Sequence, residues 1–568
     1  MFTKTKIIII SAISVIIAVS CSLEENIYDT PMADSFIKSE ADVAFLVNGI
    51  YAPLIGFNCY KTTAGYLQFY TDDNLAITNA TYQLYAKRTI APSHTYFQPT
   101  WGSFYTVIKN ANIVLDMVEK EEVLSEDFRK RIVGEIRYMR AFVYFELVRL
   151  FGKVPLLTEP VTGNSDFYPE RKNIEEVYSQ IFTDFEAAIQ TCIPYSQQPV
   201  EEGGRATKGA ALGMYALANL TYANYLELNN KSSEAMPYYQ KAAAYADSVI
   251  LSNEYSLIPN YSDLFDAGKE SAAYQEVIFG IQFTRDTKAA SASSKGSEWA
   301  YYMQPSSRYN ICGNVTNGQG AAQSRVQPWF YDLCTTGDYT GDYRSEFNFL
   351  TRWKYQNSEN YTVTYPRIPN TAAGDRSSPE QYPYMDKYKD PNGLQARNNE
   401  NDWFYLRLAE IYLIKAEALN ELNNGPVPEA YEAFNKVRER ARNADGAVRT
   451  TPSDLTGPHT KEEFRMKIFD ERGLELFAEG HRFYDNVRMR YIDNKRTMME
   501  YRYDDFYENM SADIKKAPAY SSSTKTWGTG RVYVNSVVPW TTKFLIWPIA
   551  SPEIDRNPNI TQNTEYGW

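Results

Sequence analysis

Three glutamates, Glu471, Glu475 and Glu479, recur at intervals of four residues. On a helix that spacing puts all three carboxylates on one face. Two carboxylates about 5–10 Å apart are the equipment of glycoside hydrolysis, so a glycosidase is one reading. That chemistry, however, needs its acids on opposite sides of the scissile bond, and neighbours on one helix point the same way. Arg472, His481, Arg482 and Arg488 lie close in sequence and can neutralise the acids. The pattern reads as an ion-pair network that locks a helix to its neighbours, and Glu410 and Glu417, with Arg407 nearby, read likewise. No nucleophile elbow, phosphate loop or dinucleotide fingerprint stands out. The 3 histidines, His94, His459 and His481, sit at no metal-ligand spacing, and there is no C-x-x-C motif. We expect no catalytic residue, no metal and no cofactor.

Binding chemistry fits the composition better. Aromatic residues make up 15% of the chain, with 46 tyrosines. A ring with a polar tip suits half-wet surfaces, although most of these tyrosines read as spacers between helices. Sugars present an apolar C–H face and a rim of hydroxyls. A sugar platform therefore needs flat rings beside Asp, Asn, Gln or Arg. The candidates are the aromatics that lie outside periodic helical sequence. Trp299, Tyr301, Tyr302 and Trp329 form one set, and Asp72, Asp73, Tyr82, Tyr85 and Arg88 a second. Trp101 falls on a helix and reads as core. The net charge of −12 excludes a nucleic-acid partner, which requires a basic footprint.

The elements that must position these residues are mainly α-helical. Ile132, Ile136, Met139, Val143, Leu147 and Leu150 recur every three or four residues, which predicts a helix from about Ser125 to Phe151, stopped by Gly152 and Pro155. Small residues (Ala211, Gly213, Ala216, Ala218, Ala223) mark a helix over Thr207–Leu228, and Ala242, Ala243, Ala244 and Ala246 mark its partner over Ser233–Ser252. A third block runs Trp403–Leu422 and Pro428–Ala441. Helical pairs with small residues at the crossing are the tetratricopeptide pattern. The helical scaffold is expected over about 36–56, 101–252 and 403–490, with loop-rich, aromatic-rich insertions over about 57–100 and 255–398. Only Val277–Phe283 reads as a strand there.

Lys4 and Lys6 precede an apolar run from Ile7 to Val19, shorter than the about 20 residues of a bilayer span. The run closes on Ala18-Val19-Ser20-Cys21, which is similar to a bacterial lipobox with Ala18 where leucine is usual. Residues 1–20 read as a signal peptide, Cys21 as the lipidated mature N-terminus, and residues 21–568 as one domain. Glu24 and Glu25 resemble a surface-export signal. Of the remaining cysteines, Cys312 and Cys334 are the expected disulfide if the exported chain forms one.

Taken together, segments along almost the whole chain resemble the SusD/RagB family of outer-membrane nutrient-binding lipoproteins. Asn48-Gly49-Ile50-Tyr51, Glu135 through Ala141, Leu150 through Pro155, and Gly204 through Ala210 are followed by Glu276 through Phe279. Asp342-Tyr343-Arg344, Lys387-Tyr388, Arg407 through Glu410, Glu471-Arg472, Glu479 through Arg482, Asp485 and Phe544 through Ile549 complete the order. Thr564-Glu565 stands where the family often has Pro-Gly. The resemblance implies a tetratricopeptide-based scaffold, a lipid anchor on the outer face of the outer membrane, and docking as a lid on a SusC-like TonB-dependent channel. It also implies an oligosaccharide ligand, with peptide or another nutrient as the alternative. It fixes no ligand contact.

Overall fold

Ser125, in extended conformation, precedes a helix whose first turn carries Glu126 and Asp127 and whose end is closed by Gly152 at φ +70°. Acids at the N-terminal turn and a left-handed glycine at the end are the boundaries helix electrostatics and sterics favour. The computed structural model describes residues 37–568 apart from 57–58, 63–70, 77–83, 85–88, 95–96, 286–294, 306–319, 322, 356–357, 365–382, 392–396, 503–515, 522–525 and 534–539. Cys21, Cys312, Tyr82, Tyr85 and Arg88 lie outside the described residues.

The scaffold is a succession of long helices: α1 Glu40–Tyr51, α2 Phe97–Lys120, α3 Glu126–Phe151, α4 Ile174–Thr191, α5 Lys208–Leu228 and α6 Ser232–Leu251. Each packs on the next from α2 to α6, and α1 lies on α2. Asn173 and Glu176 form a capping box at the start of α4, and Thr207 caps α5 by accepting from the Ala210 N–H. Helix α5 is buried almost all round, so it shows no single apolar stripe. Close approach explains its small residues. A Cβ added at Gly213 would sit 2.7 Å from Leu406 Cδ2, and one at Gly134 would overlap Thr191 on α4.

Strand β1 (Asn74–Ala76) pairs antiparallel with β3 (Ser324–Val326), and β2 (Val277–Ile281) pairs with β4 (Trp403–Arg407). Trp403–Arg407 was expected as the start of a helix. It is a strand because Trp-Phe-Tyr-Leu-Arg is buried on both faces and completes the ladder of β2. Helix α10 (Leu408–Leu422) follows directly, and the expected α11 (Pro428–Ala441) packs on it. Helix α12 (Lys461–Glu475) opens with a Thr460–Glu463 capping box, and α13 (His481–Arg488) follows. The main apolar core runs from α1 to the C-terminal segment, and a smaller one lies among α10, α11 and α12.

The region expected to be loop holds short helices: α7 Trp299–Met303, α8 Pro328–Thr335 and α9 Tyr343–Asn348. One or two turns are too short to register as periodicity. Hairpins over Arg352–Thr364 and Lys516–Tyr533 were likewise unexpected. Cys334 is a free, buried thiol, as are Cys59 and Cys192, so the expected Cys312–Cys334 pairing is not formed. Among the described residues no helix is long and apolar enough to cross a membrane.

The three glutamates at the end of α12 and just beyond it do form an ion-pair network, with partners other than those expected. Glu471 meets Arg344 (2.7 Å) and Arg438 (2.9 Å). Glu475 meets Arg344 (2.9 Å), Arg407 (2.5 Å) and Arg440. Glu479 meets Lys387 (2.6 Å) and Arg407 (2.8 Å). Arg472, Arg482 and Arg488, the near neighbours in sequence, serve other acids: Glu410 and Asp485, Asp72, and Glu417 and Asp485. Cations also close the helix end. Arg407 and Lys387 donate to the Glu475 carbonyl, and Lys387 donates to that of Phe477. The Glu475 carbonyl is one of the acceptors a helix C-terminus leaves open, and that of Phe477 lies in the turn just after it.

Candidate functional site

Ser297-Glu298-Trp299-Ala300-Tyr301-Tyr302 was the densest aromatic cluster in the loop-rich sequence, and the fold divides its residues between two jobs. Trp299 is fully buried, with its ring centroid 4.5 Å from that of Trp403 on β4. Ser297 is tied to Asn399 by paired backbone hydrogen bonds of 2.9 and 3.0 Å. These contacts fix α7, and helical spacing then turns Tyr301 outward. Its half-buried ring stands edge-to-face against Tyr302, with centroids 5.1 Å apart.

A guanidinium lies over this pair. Arg397 Cζ is 5.5 Å from the Tyr301 ring centroid and 5.6 Å from that of Tyr302. Its Nη2 donates to the Tyr302 hydroxyl (2.7 Å) and to Glu298 Oε2 (2.8 Å). Lys61, from the first loop, approaches the other Glu298 oxygen at 4.0 Å. Burial raises the Glu298 carboxyl above its ordinary pKa, opposed by Arg397 and Lys61, and burial lowers that of Lys61. The Arg397 side chain keeps 36% exposure. The patch therefore presents a half-buried ring and guanidinium donors, while the buried Glu298 carboxylate holds the guanidinium in place. That is what a polyhydroxylated ring with an apolar face requires.

The other expected contacts that are described are buried. Trp329 is buried; its indole N–H donates to the Asp72 carbonyl (2.9 Å), and Arg502 covers its ring at 4.5 Å. Asp72 accepts two bonds of 2.9 Å from Arg482 on α13 and one of 2.7 Å from Asn486, and meets Arg502 at 3.1 Å. The Asp73 side chain is buried beside it and accepts from Thr71, while the Asp73 carbonyl accepts from Gln327 N–H (2.8 Å). Burial and the neighbouring Asp72 charge push the Asp73 carboxyl up to about 7. Trp299, Tyr302, Trp329, Asp72 and Asp73 are thus buried in this structure. They tie residues 71–74 and the 324–335 segment to the scaffold: burial of the rings is the favourable term, and the buried acids are held by their cation partners. Of the nine expected contact residues, only Tyr301 is both described and partly open. Arg397 and Lys61 were missed, since isolated cations in irregular sequence carry no pattern. Glu298 was passed over inside the cluster itself.

The three glutamates are not available for catalysis either, each being consumed by two or three cations. Burial alone would raise the Glu475 carboxyl; Arg440, Arg407 and Arg344 instead hold it well below the usual range. Among the described residues no group of acids, histidines and cysteines could hold a metal ion.

The sequence model described as "SusD family" matches residues 275–568, more than half of the chain. The chain belongs to the SusD family. A second model, described as "Starch-binding associating with outer membrane", matches residues 23–220. The chain is 28% identical to SusD-like protein P25 of Formosa agariphila over 519 residues, covering 85% of this chain and 90% of that one. It is 24% identical to the starch-binding protein SusD of Bacteroides thetaiotaomicron, over 81% of this chain and 76% of that one. The crystal structure of a SusD homolog from Bacteroides thetaiotaomicron superposes with a TM-score of 0.77 at 22% identity, covering 94% of this chain and 98% of that one. The helical fold of this SusD family member is therefore that of its relatives.

Proposed function

We propose that this SusD family member captures oligosaccharides at the outer face of the outer membrane and hands them to a SusC-like TonB-dependent channel. The reading treats residues 21–568 as one domain held to the membrane by acyl chains on Cys21, and treats the protein as a binder without enzymatic activity. Membership of a family in which relatives are named for starch binding supports it. The observation that carries it is the Tyr301–Arg397 patch, a half-open ring beside guanidinium donors that Glu298 holds in place. The engagement of Glu471, Glu475 and Glu479 by cations supports binding over hydrolysis.

The test is retention on affinity gels of neutral polysaccharides, run beside a peptide library and an assay for released sugar. Retention by a polysaccharide without turnover supports the reading. Turnover by the pure protein, or capture of peptides alone, overturns it. Mild-detergent extraction from native membranes should recover a large β-barrel protein with this chain. Recovery of the chain alone, where other barrel complexes survive, counts against the channel partner.

A further inference from the structure

The Tyr301 patch is a locally basic spot in a chain whose net charge is −12. Lys61 and Arg397 both face the Glu298 carboxylate, at 4.0 and 2.8 Å. Glu298 favours the charged form of Lys61 and Arg397 opposes it, so the two cations repel each other across the acid between them. The surrounding sequence has the same bias. Residues 55–71, 297–326 and 391–399, which supply the patch and the chain beside it, hold one acid, Glu298, against Lys61, Arg308, Arg325 and Arg397. Gln323, just before β3, donates its N–H to the Tyr302 carbonyl (3.0 Å) and so brings β3 alongside α7. The acids that bound these stretches are matched to other cations: Asp72 to Arg482 (2.9 Å), and Asp390 and Glu400 to Arg285 (3.4 and 2.8 Å).

The acidic chain as a whole does not set the field at the patch. Exposed charges are screened over about 8 Å at physiological ionic strength, so remote acids count less than cations beside the ring. The guanidinium is also held ready. Arg397 donates to Glu298 from Nε (3.1 Å) and Nη2 (2.8 Å), and to the Tyr302 hydroxyl, yet its side chain is partly exposed. A guanidinium fixed in this way loses little freedom on meeting an anion, and it pairs with carboxylate or sulfate by charge-assisted hydrogen bonds. In a uronic acid the carboxylate stands one bond outside the pyranose ring. A sugar against Tyr301 therefore carries it towards a guanidinium whose Cζ is 5.5 Å from the tyrosine ring centroid.

We propose that the Tyr301 patch takes an acidic oligosaccharide, whose sugar units carry carboxylate or sulfate groups, in preference to a neutral one. The assignment rests on the carbohydrate reading above and narrows it to a charged substrate class.

The test uses the full mature chain on affinity gels of polygalacturonate, alginate, chondroitin sulfate and carrageenan, each beside its carboxyl-reduced or desulfated form. Oligosaccharides of a retained polymer are then titrated calorimetrically at about 0.05 and 0.5 M NaCl. At least one acidic form should bind about tenfold or more tighter than its neutral counterpart, the worth of a hydrogen bond to a charged group, and should weaken in high salt. Whichever removal, of carboxylate or of sulfate, abolishes the preference identifies the anion. Arg397→Gln should bring the two forms to equal affinity, and Tyr301→Ala should weaken both. The paired ligands and the salt series need only wild type, so they decide even where Arg397→Gln loses stability. If neutral forms bind as tightly as acidic ones, or if the preference survives both substitutions, the acidic assignment falls while the carbohydrate reading stands. If no polysaccharide of either kind is retained, both fall.

Discussion

Replacing Glu475 by glutamine should cost this protein about 3–5 kcal/mol, the range for a buried charge left without its partner. The side chain keeps its shape but loses its charge, and one acceptor oxygen becomes an NH2 donor facing arginine. Five carboxylates (Asp342, Glu276, Glu471, Glu475, Glu479) meet five cations (Arg344, Arg407, Arg438, Arg440, Lys387), with no side chain more than 2% exposed. The wild-type network is neutral. Glu475→Gln leaves one positive charge in dry surroundings, where Arg344, Arg407 and Arg440 had shared the lost carboxylate. Adding Arg440→Met restores neutrality and should recover a large part of the loss, although Glu276 then loses one of its two arginines. The assay is urea unfolding followed by fluorescence and circular dichroism together, since coincident curves license a free energy. With a slope above about 3 kcal/mol/M for a chain of this size, the midpoint should fall by about 1 M. The single variant should still bind polysaccharide through the Tyr301 patch. A midpoint that does not move, or a double variant no more stable than the single, refutes the electrostatic reasoning. Loss of a hydrolytic activity present in wild type refutes the structural role itself.

Trp299→Ala should lower stability by about 3–5 kcal/mol through the cavity it opens beside Trp403, whereas Tyr301→Ala should leave the thermal midpoint near wild type and weaken oligosaccharide binding by about tenfold or more; calorimetry paired with thermal melts decides, and the reverse pattern would move the site elsewhere. Cys21→Ala should release the protein from the membrane fraction and abolish acylation, and persistence of an acylated, membrane-bound variant refutes the anchor. Burial raises the Glu135 carboxyl from 4.5 to about 7, against the pull of Arg205 at 3.8 Å. Its folded state holds a proton that the unfolded state has released, so the stability it contributes is present below about 4.5 and lost as pH rises through 7. Thermal midpoints at pH 5 and pH 8 should fall less for Glu135→Gln than for wild type, and equal slopes would show that this carboxyl does not set the dependence.

The sequence determined the helices whose faces repeat. Residues 126–151 and 208–228 were legible because apolar or small side chains recur at the helical period and a glycine or a capping residue bounds the run, and 428–441 because a proline opens it. The order of motifs that resembles the SusD family was legible too, and the structure gives that order a physical meaning. Glu276, Asp342, Arg344, Lys387, Arg407, Glu471 and Glu479 are members of one buried network or its immediate frame. Their types and sequence order were readable, but their pairing was not. Near neighbours in sequence were the natural guess for partners, yet the fold matches acids with cations from distant segments. The same holds for the site. Aromatic type marked Trp299, Tyr301, Tyr302 and Trp329 equally, because a ring that stacks on sugar and a ring that fills a core have the same composition. Only tertiary structure separates the buried rings from the half-open one, by packing Trp299 on Trp403 and Trp329 under Arg502 while leaving Tyr301 and Arg397 partly exposed. Burial is set by what the rest of the chain brings alongside a residue, and no local pattern carries that information.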